Sequence, residues 1–176
     1  MSKLKELTWH NHQKAERTKF ARKLLGGIDP KDYYRYLYNQ YMLYHALETR
    51  AADLLPELRG IFRSQHIIKD LQELERLYDI ENSINNLMPV VSKYEQHLEK
   101  LDRDGILAHI YVRHFGDMYG GQMIKKHVPG SGSMYNFIDV DNLKQTVRAM
   151  LHDSMADEAN SCFEFAMQLF EELERE

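Results

Sequence analysis

The chain has 176 residues, 43% hydrophobic and 28% charged, a size and make-up that suit one compact domain and exclude wholesale disorder, collagen-like repeats and low-complexity scaffolds. Its 23 basic and 27 acidic residues are interspersed and give a formal charge of −4, so no basic stripe suits a nucleic acid. The single cysteine, Cys162, excludes an intramolecular disulfide and any scheme built on paired thiolates; with no apolar signal core and no run long enough to cross a bilayer, a soluble cytoplasmic protein is expected.

Apolar residues recur at helical spacing almost throughout. A first helix is predicted over residues 4–25, stopped by Gly26-Gly27, where glycine takes a left-handed cap without strain. Asp29 then caps a second helix with Pro30 at its first position, and the pattern runs on to Leu55 before Pro56. Further helices are predicted over 64–78, 89–102, 105–127, and from Asp141 to near the C-terminus with a break around Ser154-Met155. Residues 128–133 read as a flexible connection, no stretch alternates as a strand should, and no internal repeat is present. The expected architecture is an all-α, single-domain helical bundle over residues 1–176, a fold whose cofactor sites lie between facing helices.

Nine histidines are many for this length, but His10 and His12 point to opposite sides of a helix, and neither His-Glu-x-x-His nor paired Glu-x-x-His runs occur. That spacing opposes zinc-peptidase and di-iron chemistry. His12 has company: Lys5 lies two turns before it on the same face, and Glu16 lies four residues after it, where a carboxylate can accept one ring N–H and leave the other nitrogen for iron. An ordinary helix carrying a Lys and a Glu fits the same spacing. The run Gly116-Asp117-Met118-Tyr119-Gly120-Gly121 interrupts a strong helical pattern, and three glycines forgo roughly 2–3 kcal/mol of helix stability. Gly116 and Gly120 share a face that a flat ligand could approach, or that another helix could pack closely. Asp117 follows Arg113 by four residues, the spacing of a plain ion pair. Lys144 and Arg148 stand together on one helical face, suited to carboxylates or to solvent, and Tyr34, Tyr38 and Tyr41 form a stripe with Tyr44 nearby.

Together these segments resemble the heme oxygenase family over nearly the whole chain. Leu4-Lys-Glu-Leu-Thr-Trp-His-Asn-His12-Gln-Lys-Ala15-Glu16 is similar to the family's proximal helix, and Tyr111-Val-Arg113-His-Phe-Gly116-Asp117-Met-Tyr-Gly120-Gly121-Gln122 to its distal helix, whose Gly-Asp-x-x-Gly-Gly-Gln core is the most specific motif. Tyr41-Met-Leu-Tyr-His-Ala-Leu-Glu48, Tyr94, Leu143-Lys144-Gln-Thr-Val-Arg148 and Gln168-Leu-Phe-Glu-Glu-Leu173 match in the same order. The resemblance implies that His12, supported by Glu16, ligates the iron of heme b. Lys5, Lys144 and Arg148 would hold its propionates, with Tyr111 and Gly121 also at the cofactor. Gly116 and Gly120 would bare the helix backbone to the porphyrin, while Asp117, Arg113, Tyr41 and Tyr94 organise distal water.

By the same resemblance heme is both cofactor and substrate, opened by O2 and external electrons to biliverdin, the IX-alpha isomer, with release of carbon monoxide and ferrous iron. No flavin or nicotinamide fingerprint is present, so a ferredoxin is the implied donor, and a bilin reductase would consume the product. The expected form is soluble, cytoplasmic or plastid-borne or acting in a virus-infected host cytoplasm, without the membrane tail of the animal enzymes. Met118-Tyr119 departs from the family's usual small Leu-Ser pair. A non-catalytic heme carrier would keep His12 and the basic grips but would not need Asp117 or the distal glycines, and the thiaminase-like relatives of this helical fold are a further alternative.

Overall fold

The structure is a computed structural model that describes residues 2–82 and 86–175. Nine α-helices occur among the described residues: α1 Leu4–Glu16, α2 Lys19–Gly26, α3 Pro30–Leu54, α4 Ser64–Tyr78, α5 Val90–Glu99, α6 Arg103–Tyr119, α7 Gly121–Lys125, α8 Val140–Met150 and α9 Ala156–Glu174. Short 3-10 turns cover Pro56–Ile61, Ser133–Tyr135 and Asp153–Met155, and no strand occurs among the described residues. None of these helices is long and apolar enough to cross a membrane.

Two helices organise the rest. α3 carries Tyr33, Tyr36, Leu37, Gln40, Tyr44, Leu47, Glu48 and Ala51 at helical spacing, all buried, and packs against α4, α5 and α6. α9 lies against α1, α2, α5 and α6. The core between them is rich in tyrosine: Tyr33, Tyr34, Tyr44, Tyr94 and Tyr135 are all essentially without solvent contact. Such rings bury a large apolar area but leave each hydroxyl needing a partner, which is why polar groups collect here.

The expected first helix is divided. Thr18 takes an extended conformation, its hydroxyl donates to the Ala15 carbonyl at 2.8 Å and accepts the Ala21 N–H at 3.3 Å, so one side chain ends α1 and caps α2. Gly27 follows α2 with φ +105°. Asp29 precedes α3 as expected but makes no side-chain cap bond. The helix expected over 105–127 starts at Arg103, where Asp102 accepts the Gly105 N–H at 2.9 Å, and is interrupted at Gly120. The connection over 128–133 is tied down: Glu73 accepts the Ser131 N–H at 2.6 Å, and Asp70 accepts those of Ser133 and Met134 at 2.7 and 2.9 Å. Gly130 and Gly132 supply the positive φ angles, +81° and +64°, that this turn requires.

Gly121 has a packing reason. A Cβ there would overlap the ring of Tyr135, with Cε1 only 3.0 Å away, and that ring is fully buried and cannot retreat. Gly121→Ala should therefore destabilise the fold by about 1–3 kcal/mol through overpacking. A denaturant melt checks this, and unchanged stability would mean that the ring can yield.

Candidate functional site

α1 brings His12 to a half-exposed position, with Trp9 at 5.2 Å and Phe163 of α9 at 5.6 Å between ring centroids. Glu16 lies 2.7 Å from His12 Nε2, so the i,i+4 carboxylate accepts that N–H and leaves Nδ1 with the lone pair. The imidazole is thus oriented, flanked by apolar rings and open on one side. Lys5 stands exposed on the same helix two turns earlier.

On α6 the glycine segment has two characters. Gly116 is exposed, and a Cβ built on it meets nothing within 4 Å; Gly120 is exposed too, with only the Gly116 carbonyl near. The backbone is bare where both lie. Gly121 and Gln122 do a different job: Gly121 fits under Tyr135, and Gln122 donates to the Tyr135 carbonyl at 2.7 Å. Close packing therefore explains Gly121, which is not among the groups free to touch a cofactor, but leaves Gly116 and Gly120 unexplained by the protein's own contacts.

Asp117 sits between these faces, buried against α3. The Tyr44 hydroxyl bonds its Oδ2 and also lies 3.1 Å from the Arg113 carbonyl. One hydroxyl proton cannot serve two acceptors, but if Asp117 is protonated it donates to Tyr44, which then donates to the carbonyl. Electrostatics agree: burial outweighs the Tyr44 bond and the Arg113 and Arg63 charges and raises the carboxyl to about 7. Arg113, also buried, donates through Nε to the Tyr94 hydroxyl at 3.0 Å, while its Nη2 is buried with no protein partner among the described residues.

Tyr41 is not in this cluster. It is half-buried and stacks on His45 with centroids 5.6 Å apart, and Tyr44 takes the place expected for it. Three residues along a helix turn a side chain by about 300°, and Tyr44 rather than Tyr41 lies on the stripe of Gln40, Leu47 and Glu48 that α3 buries. Tyr94 reaches the cluster through Arg113, whose Nε donates to its hydroxyl.

Lys144 and Arg148 do project together from α8, and what faces them is Tyr119. The Lys144 ammonium lies 4.1 Å from the centre of its ring, and Arg148 Nη2 donates to its hydroxyl at 2.7 Å. Tyr119 also ends an aromatic row along α6, Tyr111 to Phe115 at 5.7 Å and Phe115 to Tyr119 at 5.8 Å. Tyr111 in turn contacts the Thr8 hydroxyl of α1, which joins the His12-bearing helix to the glycine-bearing one. Neither Tyr44 nor the Tyr119 clasp follows from spacing; the only signal for Tyr119 was a bulky residue where small ones are usual.

Glu48 holds this arrangement from behind. Its carboxylate accepts the Arg63 N–H at 2.5 Å and the Ser64 N–H at 3.0 Å, bonds the Ser64 hydroxyl, and accepts His114 Nε2–H at 2.8 Å. Burial raises its pKa, but His114, Ser64 and the backbone donors outweigh that and leave it below the usual carboxylate value; burial keeps His114 low and neutral. One ionised side chain of α3 therefore caps α4 and fixes α6.

The arrangement defines an all-helical bundle in which an oriented imidazole and a bare stretch of helix backbone accompany a buried, protonatable carboxyl. The family model for heme oxygenase matches residues 1–172. Heme oxygenase 1 of the cyanobacterium Synechocystis sp. is 28% identical over 98% of this chain and 84% of its own length, and the heme oxygenase of Rhodella violacea 29% identical over 97% and 85%. The crystal structure of heme oxygenase-1 from Synechocystis sp. in complex with heme superposes with a TM-score of 0.81 at 25% identity, covering 98% of this chain and 90% of that one. The heme oxygenase of Leptospira interrogans gives 0.79 at 25% identity. The chain belongs to the heme oxygenase family.

Proposed function

We propose that this protein opens the ring of its substrate, heme b, to biliverdin of the IX-alpha type, releasing carbon monoxide and ferrous iron, with O2 and electrons drawn from an external donor such as a ferredoxin. The observation that carries this reading is Asp117: a carboxyl held near a pKa of 7, one residue from a backbone stripped of side chains. A protein that only carried heme would need neither.

The residues present fit the group. Gly116 leaves open space where a Cβ would stand, Arg113 Nη2 is a buried donor with no partner among the described residues, and His12 offers an imidazole between two apolar rings. His12 would hold the iron, oriented by Glu16, and Lys144, Arg148 and Lys5 would hold the propionates, the first two leaving Tyr119 as they do so. When bound, the group supplies an iron centre for oxygen chemistry; an imidazole ligand donates less electron density than a thiolate and favours O–O cleavage less. Gly116 and Gly120 admit the ring face. Asp117 stores a proton at Oδ2 beside Tyr44 Oη and hands it on through water held by Arg113, so that proton delivery is controlled. Biliverdin, a linear tetrapyrrole, would pass to a reductase, in cytoplasm or plastid.

Hemin added to the protein, then ferredoxin and its reductase in air, tests the reading by visible spectrum: the heme bands should give way to biliverdin absorption. Heme that binds and survives aerobic reduction would make the protein a carrier. His12→Ala should lose the axial-imidazole heme spectrum and regain it with added imidazole; an unaltered spectrum would reject His12 as ligand.

A further inference from the structure

We propose that His97, His109 and Glu158 form a site for a divalent transition-metal cation of the Zn2+ class. The three come from α5, α6 and α9, and one ligand atom of each lies within 4.8 Å of the other two. Glu158 Oε1 is 2.5 Å from His97 Nε2 and 2.7 Å from His109 Nε2, so both imidazoles converge on a single carboxylate oxygen. Two imidazoles and a carboxylate are a donor set that borderline divalent cations take, with a fourth position left to water.

The surroundings prepare His109 for this task. Its Nδ1 lies 2.7 Å from the Tyr94 hydroxyl, which accepts Arg113 Nε–H at 3.0 Å. The Tyr94 oxygen has a second lone pair beside the one that takes Arg113 Nε–H, and it can accept His109 Nδ1–H. Without a cation, Nε2–H donates to Glu158 at 2.7 Å; a cation takes the Nε2 lone pair as the proton leaves, and the Tyr94 contact at Nδ1 then keeps the ring aimed. A metal-ligating histidine characteristically has such a partner on its second nitrogen.

Access is one-sided. The His109 side chain is wholly buried, whereas those of His97 and Glu158 are 29% and 24% exposed, so a cation can enter from solvent and keep a water on the open side. The Phe165 ring, 5.0 Å from His97 and 5.1 Å from Tyr94, forms an apolar wall beside the site. Zinc–nitrogen bonds of about 2.0–2.1 Å place tetrahedral donors roughly 3.3 Å apart, so His97 and Glu158 must open slightly, which their exposure permits. Nothing in the heme reading requires this site: His109 precedes Gly116 by two helical turns, and no heme-facing residue supplies a ligand.

Co2+ titrated into the heme-free full chain is the test, because a four- or five-coordinate cobalt ion absorbs visibly where hexa-aquo cobalt scarcely does. One equivalent should bind with a visible band that Zn2+ abolishes. His97→Gln and Glu158→Gln, both at partly exposed positions and checked for unchanged helicity, should each weaken binding at least about tenfold. No band in the unaltered protein, or the same titration in all three proteins, would overturn the site and leave the triad as ion pairs joining three helices.

Discussion

Under the proposed reaction, replacing Asp117 by alanine should cut biliverdin formation by about 10²-fold or more while hemin affinity changes little. The carboxyl is buried, bonded to Tyr44 and raised to about 7, so near neutrality it exists in both protonation states and can release and recover a proton. The rate of the unaltered enzyme should fall as pH rises through about 7, and the residual rate of the variant should lack that step. Stability gives a separate reading. An unfolded aspartate titrates near 3.9, so between about pH 4 and 7 the folded chain binds the extra proton and stability falls as pH rises. Asp117→Asn should remove that fall, read from urea melts at about pH 5 and about pH 8. Normal biliverdin yield from Asp117→Ala would take the residue out of the reaction.

The largest effect on folding is expected at Glu48. Alanine there strips the N-terminus of α4 of its carboxylate cap, leaves the Arg63 and Ser64 amides short of an acceptor, and strands His114 in a site without solvent. Leaving several buried donors unsatisfied costs about 1–3 kcal/mol each, which in a chain of this length lowers Tm by on the order of 10 °C. Glu48→Gln keeps an oxygen for the amides and should cost less. A melting temperature of Glu48→Ala within about 2 °C of the parent would show that water replaces the carboxylate freely.

What could be read without coordinates was whatever depends on local repetition. The bounds of α4 and the break before α9 followed from apolar spacing and from where breakers fall. Thr18 was missed because its hydroxyl acts against a helical pattern that continues on both sides. The turn over 128–133 reads as loose from its glycines and serines, but its restraints, Asp70 and Glu73, lie about sixty positions upstream. The same limit applied to the site. Asp117 and the glycines were marked by a contiguous motif, whereas choosing Tyr44 over Tyr41 needs the phase of α3 against its neighbours. His97, His109 and Glu158 share no run of sequence at all and meet only when three helices pack.

Gly121 and Gln122 seat one end of the glycine segment on Tyr135, while a Cβ built on Gly116 would meet nothing within 4 Å among the described residues. The segment is therefore held on its core side by buried Phe115, Asp117 and Met118 and at its end by Tyr135, so its uncovered backbone is rigidly placed. Trimming the ring at position 135 would loosen that seat, a change that acts on the glycine segment through packing rather than through any group placed at the proposed reaction.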